Sequence, residues 1–376
     1  MRSNIDGSYQ NLNLCIGRGS HAVVYLYLAK ATRELVAVKC IGGFGKCLSH
    51  QGINEHMVFS HICEHTNIVS HRDTFTDGSD ILCVLEYLPS TLQHYMNTIA
   101  RQKFRLREDE ALGFLHDILE GIYHLHKNGI SHGDLKPSNI LLAPNRHRGC
   151  VAKISDFGTA CFFGSPSDGC KPARDETCRS NRGTRRYQPP EVLMEKQDPS
   201  DIHEIDIWSA GCIFVEILSG GTSFVDTRTC VSALHSIHKF VANTRPLWSQ
   251  AQGIPHDHRR NTSQHTPNKP WRDQEETFAF LKALKPTTID LIQKLLAIDP
   301  MKRASADSAL HHPAFAETYV IRCLPMPLPP SKVREVSLWI HKNTPLIITP
   351  NSNCFSRTPP PSRSLVDKTP PRKLFD

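Results

Sequence analysis

Between residues 9 and 41 apolar and polar positions alternate and β-branched residues are frequent, as in Ala22-Val23-Val24-Tyr25-Leu26-Tyr27-Leu28 and Leu35-Val36-Ala37-Val38. A repeat of two puts the apolar set on one face of a pleated ribbon, so the pattern predicts antiparallel strands. In residues 50–63 the period changes: Ile53, Met57, Ser60 and Ile62 fall near helical spacing and predict one helix. Residues 81–85 are a short apolar run of strand length. From residue 107 the period is helical again, and Ala111, Leu112, Leu115, Ile118, Leu119, Ile122 and Leu125 form one broad apolar face. Residues 205–218 are apolar nearly all round, the mark of a helix buried on every side, and residues 289–298 read as an amphipathic helix stopped by Pro300. Beyond about residue 317 proline, serine and threonine dominate, and residues 343–376 are expected to be a disordered tail. No internal repeat is present. The expected class is α+β, a small β-rich part followed by a larger helical part.

Composition narrows the functions open to such a chain. Its 376 residues suit a two-lobed enzyme with extra segments, and 39% apolar content is enough for a sizeable core. No run of eighteen apolar residues occurs and the N-terminus, Met1-Arg2-Ser3-Asn4-Ile5-Asp6, lacks an apolar signal core, so neither a membrane span nor a signal segment is expected. The net charge of +7 is scattered, without a zinc-finger, RRM or basic-helix pattern, so a solvated surface is expected rather than a nucleic-acid partner. The 13 cysteines are odd in number and contain no C-x-x-C pair, which argues against a zinc site or a disulfide framework and for reduced thiols in cytoplasm or nucleus. The 21 histidines include no H-E-x-x-H, and no metal is assigned to them.

Five short elements carry the chemistry. The first, Ile16-Gly17-Arg18-Gly19-Ser20-His21-Ala22-Val23, lies in the predicted hairpin. Gly17 and Gly19 would let the backbone lie close over phosphates, with amide N–H groups facing them, although a plain glycine hairpin reads the same way. The second, Val36-Ala37-Val38-Lys39, ends an apolar strand with a lysine twenty residues after Gly19, within reach of the α- and β-phosphates. That lysine needs a carboxylate. Glu55 on the following helix is preferred to Glu64, which sits at the same helix's C-terminal end. The third is His132-Gly133-Asp134-Leu135-Lys136-Pro137-Ser138-Asn139. It combines Asp134 to accept a hydroxyl proton, Lys136 to neutralise a γ-phosphate and Asn139 to bind magnesium. The fourth, Asp156-Phe157-Gly158, follows Asp134 by twenty-two residues and would place Asp156 on the magnesium bridging the β- and γ-phosphates. The fifth is Pro189-Pro190-Glu191, then Asp206-Ile207-Trp208-Ser209-Ala210-Gly211, then Arg303.

In this order and spacing the elements resemble those of eukaryotic protein kinases over about residues 9–316. The resemblance implies a bilobal fold, with an N-lobe at 9–87, a C-lobe at 88–316 and a Pro/Ser/Thr-rich extension at 317–376. It implies ATP and Mg2+ as cofactors and a protein substrate. It assigns Lys39, Asp134 and Lys136 to catalysis, Asn139 and Asp156 to the metal, and residues 16–23, Lys39, Glu55, Glu86 and Leu88 to the nucleotide. Glu86-Tyr87-Leu88 resembles the hinge whose backbone bonds adenine, beside Leu85 as gatekeeper. Glu191 would pair with Arg303, and Asp206 would hold the catalytic-loop backbone. Lys136 two residues after Asp134 is the serine/threonine pattern. Residues 206–216 and the stretch from Ala233 to Pro255 are similar to the CMGC group, most of all to cyclin-dependent kinases of the cell-cycle-related kind. His21 and the Leu324-Pro325-Met326-Pro327-Leu328-Pro329 run favour that branch. It implies a cell-cycle role and a cyclin or other regulatory subunit, in nucleus or cytoplasm, although Lys46 to Asn54 shows no cyclin-binding helix sequence.

The departures from that pattern bear on regulation. Gly133 stands where the family has an arginine that grips a phosphorylated threonine, and twelve residues before Glu191 the threonine position holds Arg179. Switching by phosphorylation at that site is therefore not expected. His21 replaces a tyrosine that inhibitory kinases modify. Gln188 replaces an arginine that shapes the pocket for proline after the acceptor, which puts proline direction in doubt, while Thr184 is retained to bond Asp134 and Lys136. The tail carries Thr344-Pro345, Thr349-Pro350, Thr358-Pro359 and Thr369-Pro370, followed by an Arg372-Lys373-Leu374-Phe375 segment resembling a cyclin-docking motif. Two other readings compete: a pseudokinase scaffold, which usually lacks the equivalents of Lys39, Asp134 or Asp156, and an origin-firing type of kinase with a non-cyclin activator.

Overall fold

The computed structural model describes residues 4–19, 22–43, 48–145, 149–163, 183–195, 202–244, 281 and 283–316. The chain divides into two units, Met1–Pro329 and Pro330–Asp376, and all the described residues belong to the first. The expected tail, Ser20, His21 and Arg179 lie outside the described residues.

The alternating N-terminal segment forms β1 (Tyr9–Arg18), β2 (Ala22–Ala29) and β3 (Leu35–Ile41). With β4 (His71–Asp77) and β5 (Asp80–Glu86) they make one antiparallel sheet in the order β1-β2-β3-β5-β4. The pleat divides β3 by face. Val36 and Val38 are buried with Tyr9, Tyr27, Phe75, Leu82 and Val84, while Lys39 and Ile41 border a cavity on the other side. Helix α1 (His50–His61) starts at Ser49, whose side chain accepts a hydrogen bond from the Gly52 amide. Gly52 lets this helix lie hard against β5, since a Cβ there would sit 2.8 Å from the Ile81 Cβ.

The larger part begins with β6 (Ser90–Thr91), α2 (Leu92–Arg101) and α3 (Glu108–Lys127). Helix α3 opens with Glu108, Asp109 and Glu110 and closes with His124, His126 and Lys127, charges that suit the two ends of its dipole. Its apolar face packs on α5 (Glu204–Leu218), in which every residue from Ile205 to Leu218 is buried, so the near-continuous apolar run is a central helix. The core around it takes in Val58 of α1, Leu85 of β5 and Phe157, and therefore runs from one lobe into the other. Between α3 and α5 lie β7 (Ile130–Ser131), β8 (Ile140–Asn145), β9 (Gly149–Ile154), β10 (Cys161–Phe162) and the short helix α4 (Pro190–Leu193). Helix α6 (Cys230–Thr244) follows α5.

The amphipathic helix read at 289–298 spans Pro286–Leu295. Pro286 occupies the first turn, where its missing N–H costs nothing, and the helix stops at Leu296, before Pro300 can act. The sheet-rich first part and helical second part form the α+β class expected from the pattern and the bilobal fold that the resemblance implies.

Candidate active site

Lys39 reaches from β3 into the cleft between two carboxylates. Its Nζ lies 2.6 Å from Glu55 Oε2 and 2.7 Å from Asp156 Oδ1. Of the two carboxylates weighed for this lysine, α1 delivers Glu55, whereas Glu64 falls beyond the end of that helix. Burial alone would lower the Lys39 pKa, but Glu55 and Asp156 outweigh it and hold the ammonium protonated, above its ordinary value. Burial likewise pushes the Asp156 carboxyl up, and Lys39 reverses this to leave it below the usual range. Glu55 is fully buried, and desolvation leaves it raised despite Lys39. Its second oxygen, Oε1, has no hydrogen-bond partner among the described residues.

The catalytic loop hangs from the start of α5. Asp206 is fully buried and accepts from the backbone amides of His132 (2.8 Å) and Gly133 (2.9 Å), from Ser131 Oγ (3.0 Å) and from His126 Nε2 (2.9 Å). Burial would raise its pKa, but the His126 hydrogen bond and charge hold it below the ordinary value. Gly133 adopts φ 77°, and a Cβ there would come within 3.1 Å of the Thr159 carbonyl oxygen. An aromatic column rises from this loop. His132 packs on Phe157 with ring centroids 5.3 Å apart, Phe157 meets Phe59 of α1 edge-on at 5.3 Å, and Phe59 stacks on His71 at 4.7 Å. The column couples the position of α1, and with it Glu55, to the segment carrying Asp156.

Asp134 sits in a closed polar circuit. One carboxylate oxygen accepts from the Thr184 amide at 2.7 Å and its hydroxyl at 2.9 Å, and the other accepts from Lys136 Nζ at 2.6 Å. Lys136 also donates to Thr184 Oγ1 at 3.1 Å. Thr184 is set in place by Gly183, with φ 85°, and Gly183's carbonyl oxygen accepts from Gln188 Nε2 at 3.1 Å. The segment behind is braced by a buried bidentate pair, Arg303 to Glu191, at 2.9 and 3.2 Å.

A cavity of about 510 Å³ opens among these groups, lined in part by Gly19, Lys39, Glu55, Asp134, Asn139 and Asp156. Arg18, Ala22 and Lys136 also border it, whereas Ile16, Gly17, Val23, Glu86 and Leu88 lie off its wall. Gln51, Thr159 and Gly183 line it as well, although motif reading passed them over. Gln51 was legible in principle: it precedes Glu55 by four residues on α1 and so shares its face. Asn139 donates through Nδ2 to the Asp134 carbonyl oxygen at 3.0 Å, which leaves its amide oxygen, together with the Asp156 carboxylate, as hard donors suited to Mg2+. Bound there, Mg2+ would offset charge on phosphate oxygens. Beside these donors the cleft holds the Lys39 ammonium between its two carboxylates, and the Asp134 carboxylate fixed by Lys136 and Thr184.

The model of the protein kinase domain family matches residues 10–315. Mitogen-activated protein kinase 5 of Oryza sativa subsp. indica is 30% identical over 335 residues, covering 87% of this chain and 83% of the relative. Mitogen-activated protein kinase HOG1 of Eremothecium gossypii is 32% identical over 316 residues, covering 83% of this chain and 64% of the relative. The HOG1 kinase of Saccharomyces cerevisiae is 31% identical over 313 residues, 82% of this chain and 65% of the relative. These relatives are CMGC kinases, so the resemblance holds for the group, while the narrower cyclin-dependent likeness draws no support from them. The chain belongs to the protein kinase domain family and is an ATP-dependent serine/threonine protein kinase.

Proposed function

We propose that this kinase resembles the mitogen-activated protein kinases in its branch and transfers the γ-phosphate of Mg-ATP to serine or threonine followed by proline, with Asp134 as base, Lys136 and Lys39 as charge stabilisers, and Asn139 and Asp156 on the metal. The names of the relatives favour this branch over the cell-cycle one. The observation that carries the chemistry is the circuit joining Asp134, Lys136 and Thr184, which fixes the carboxylate where an acceptor hydroxyl would lie.

The proline preference rests on the Gly183 carbonyl, next to Thr184. Gln188, which stands where the family has an arginine, already donates to it at 3.1 Å. A peptide amide arriving after the acceptor meets a carbonyl already engaged, and leaving an N–H unsatisfied costs about 1–3 kcal/mol. Proline has no N–H to satisfy. Gly133 offers no side chain to hold a phosphate, which supports activity independent of phosphorylation in the activation segment.

The test is phosphate transfer from Mg-ATP to an arrayed set of serine and threonine peptides. Asp134→Asn should abolish it, and Gln188→Ala should lower the preference for proline about tenfold or more. ATP binding without any transfer would favour the scaffold reading. A rise in activity on phosphorylation within residues 177–184 would reject the phosphate-independent one.

A further inference from the structure

Lys153 lies on β9, three residues before Asp156, and belongs to none of the five motif elements. Its side chain is only 13% exposed, and its Nζ is 2.8 Å from Glu86 Oε1 and 3.4 Å from the Ile68 carbonyl oxygen. Glu86 ends β5 and begins the hinge. The same Glu86 oxygen accepts from the Ser70 amide at 2.7 Å, and the Glu86 amide donates to the Ser70 carbonyl oxygen at 3.0 Å. Glu86 is thus gripped through both side chain and backbone.

The other end of the lysine is equally fixed. Ile154 donates to the Asn67 carbonyl oxygen at 2.8 Å and accepts from the Val69 amide at 2.9 Å, while Asn67 Nδ2 reaches the Ala152 carbonyl oxygen at 3.0 Å. The next residue, Ser155, donates through its amide to the Asn139 carbonyl oxygen at 2.9 Å. One strand therefore leads within two residues of its end to Asp156 and, through Lys153, holds the first residue of the hinge.

Resting on the kinase reading, we propose that Lys153 is a positioning residue for the nucleotide: its pairing with Glu86 sets the distance between the hinge backbone, which takes a purine base, and Asp156, which takes the phosphate-bound metal. A lysine does this as a point charge drawn to a half-buried carboxylate, so the charge matters more than the packing of its stem. The pair touches neither Asp134 nor Thr184, so its loss falls on nucleotide affinity and spares the peptide side.

The experiment measures the dissociation constant of ADP with Mg2+ by calorimetry, alongside kcat and the KM values for ATP and peptide. Lys153→Met and Glu86→Gln should each weaken ADP and raise the KM for ATP about tenfold, with the peptide KM unchanged. Lys153→Arg, which keeps the charge, should stay within about twofold of the parent, and the double variant should be no worse than either single one. Unchanged ADP affinity in a folded Lys153→Met or Glu86→Gln chain would overturn the proposal, as would additive losses or an equal loss on the peptide side. If Lys153→Met fails to fold, Glu86→Gln and Lys153→Arg decide the matter. A parent chain that binds ADP but transfers no phosphate would sink the kinase mechanism, and the ADP titrations would still judge Lys153.

Discussion

Single residues set the tightest tolerances in the cleft. A Cβ at Gly183 would lie 2.7 Å from the Gly133 carbonyl oxygen, on a backbone with φ 85°. Both partners are main chain, so the catalytic loop and the Thr184 segment must part. Strain of this kind costs about 1–3 kcal/mol, and Gly183→Ala is expected to lower kcat for peptide about tenfold or more while the KM for ATP holds. Steady-state kinetics on the two substrates read this directly, and a matched rise in both KM values would contradict it. The contact of Gln188 with the Gly183 carbonyl belongs to the same scale. It could not be read from the chain, because it depends on a left-handed residue turning its carbonyl toward a side chain five positions on.

At the scale of elements, the aromatic column joins α1 to the Asp156 segment and ends on a titratable ring. His71 Nε2 lies 2.8 Å from Thr74 Oγ1, and His56 Nδ1 shares that hydroxyl at 3.2 Å. Burial, then the neighbouring His56, hold His71 below its ordinary value, and burial lowers His56 too. With the folded value depressed, the unfolded chain takes up the proton first. The stability is complete above the ordinary imidazole value of about 6.5 and is lost as pH falls from there through the folded value. His71→Leu, which keeps an apolar contact for Phe59, should therefore lose less Tm than the parent between about pH 7.5 and 5.5. Equal losses would place the acid sensitivity elsewhere. The sequence showed elements best where burial is one-sided and periodic, as in β3 and α3, whereas on α1 the buried residues are Gly52, Glu55 and Val58 rather than the Ile53, Met57, Ser60 and Ile62 of the predicted pattern. It hid β4, whose His71-Arg72-Asp73-Thr74-Phe75-Thr76-Asp77 is almost wholly polar and is a strand because β5 supplies its partner. The candidate site was legible as ordered motifs, since each needs a particular functional group. The clamp at Lys153 was not, because it joins residues sixty-seven positions apart.

Across the whole molecule, the Glu191–Arg303 pair ties the segment behind Thr184 to the far end of the larger lobe. Arg303 also donates to the Glu204 carbonyl oxygen at 2.8 Å and lies over the Trp208 ring, 5.2 Å from its centroid. Removing the cation leaves a buried carboxylate alone, so Arg303→Met should destabilise the fold by about 3–5 kcal/mol in chemical denaturation. Replacing Glu191 by leucine in the same chain should recover much of that loss, because the desolvated charge is then gone. A final consequence comes from the carboxylate that meets Lys39. Only one oxygen of Glu55 is engaged, and the other is shut away from water without a partner among the described residues. The contact thus carries its own opposition: the ion pair draws α1 toward β3, while the desolvated Oε1 goes uncompensated, so taking away the Lys39 cation would leave both oxygens of a fully buried carboxylate without that partner.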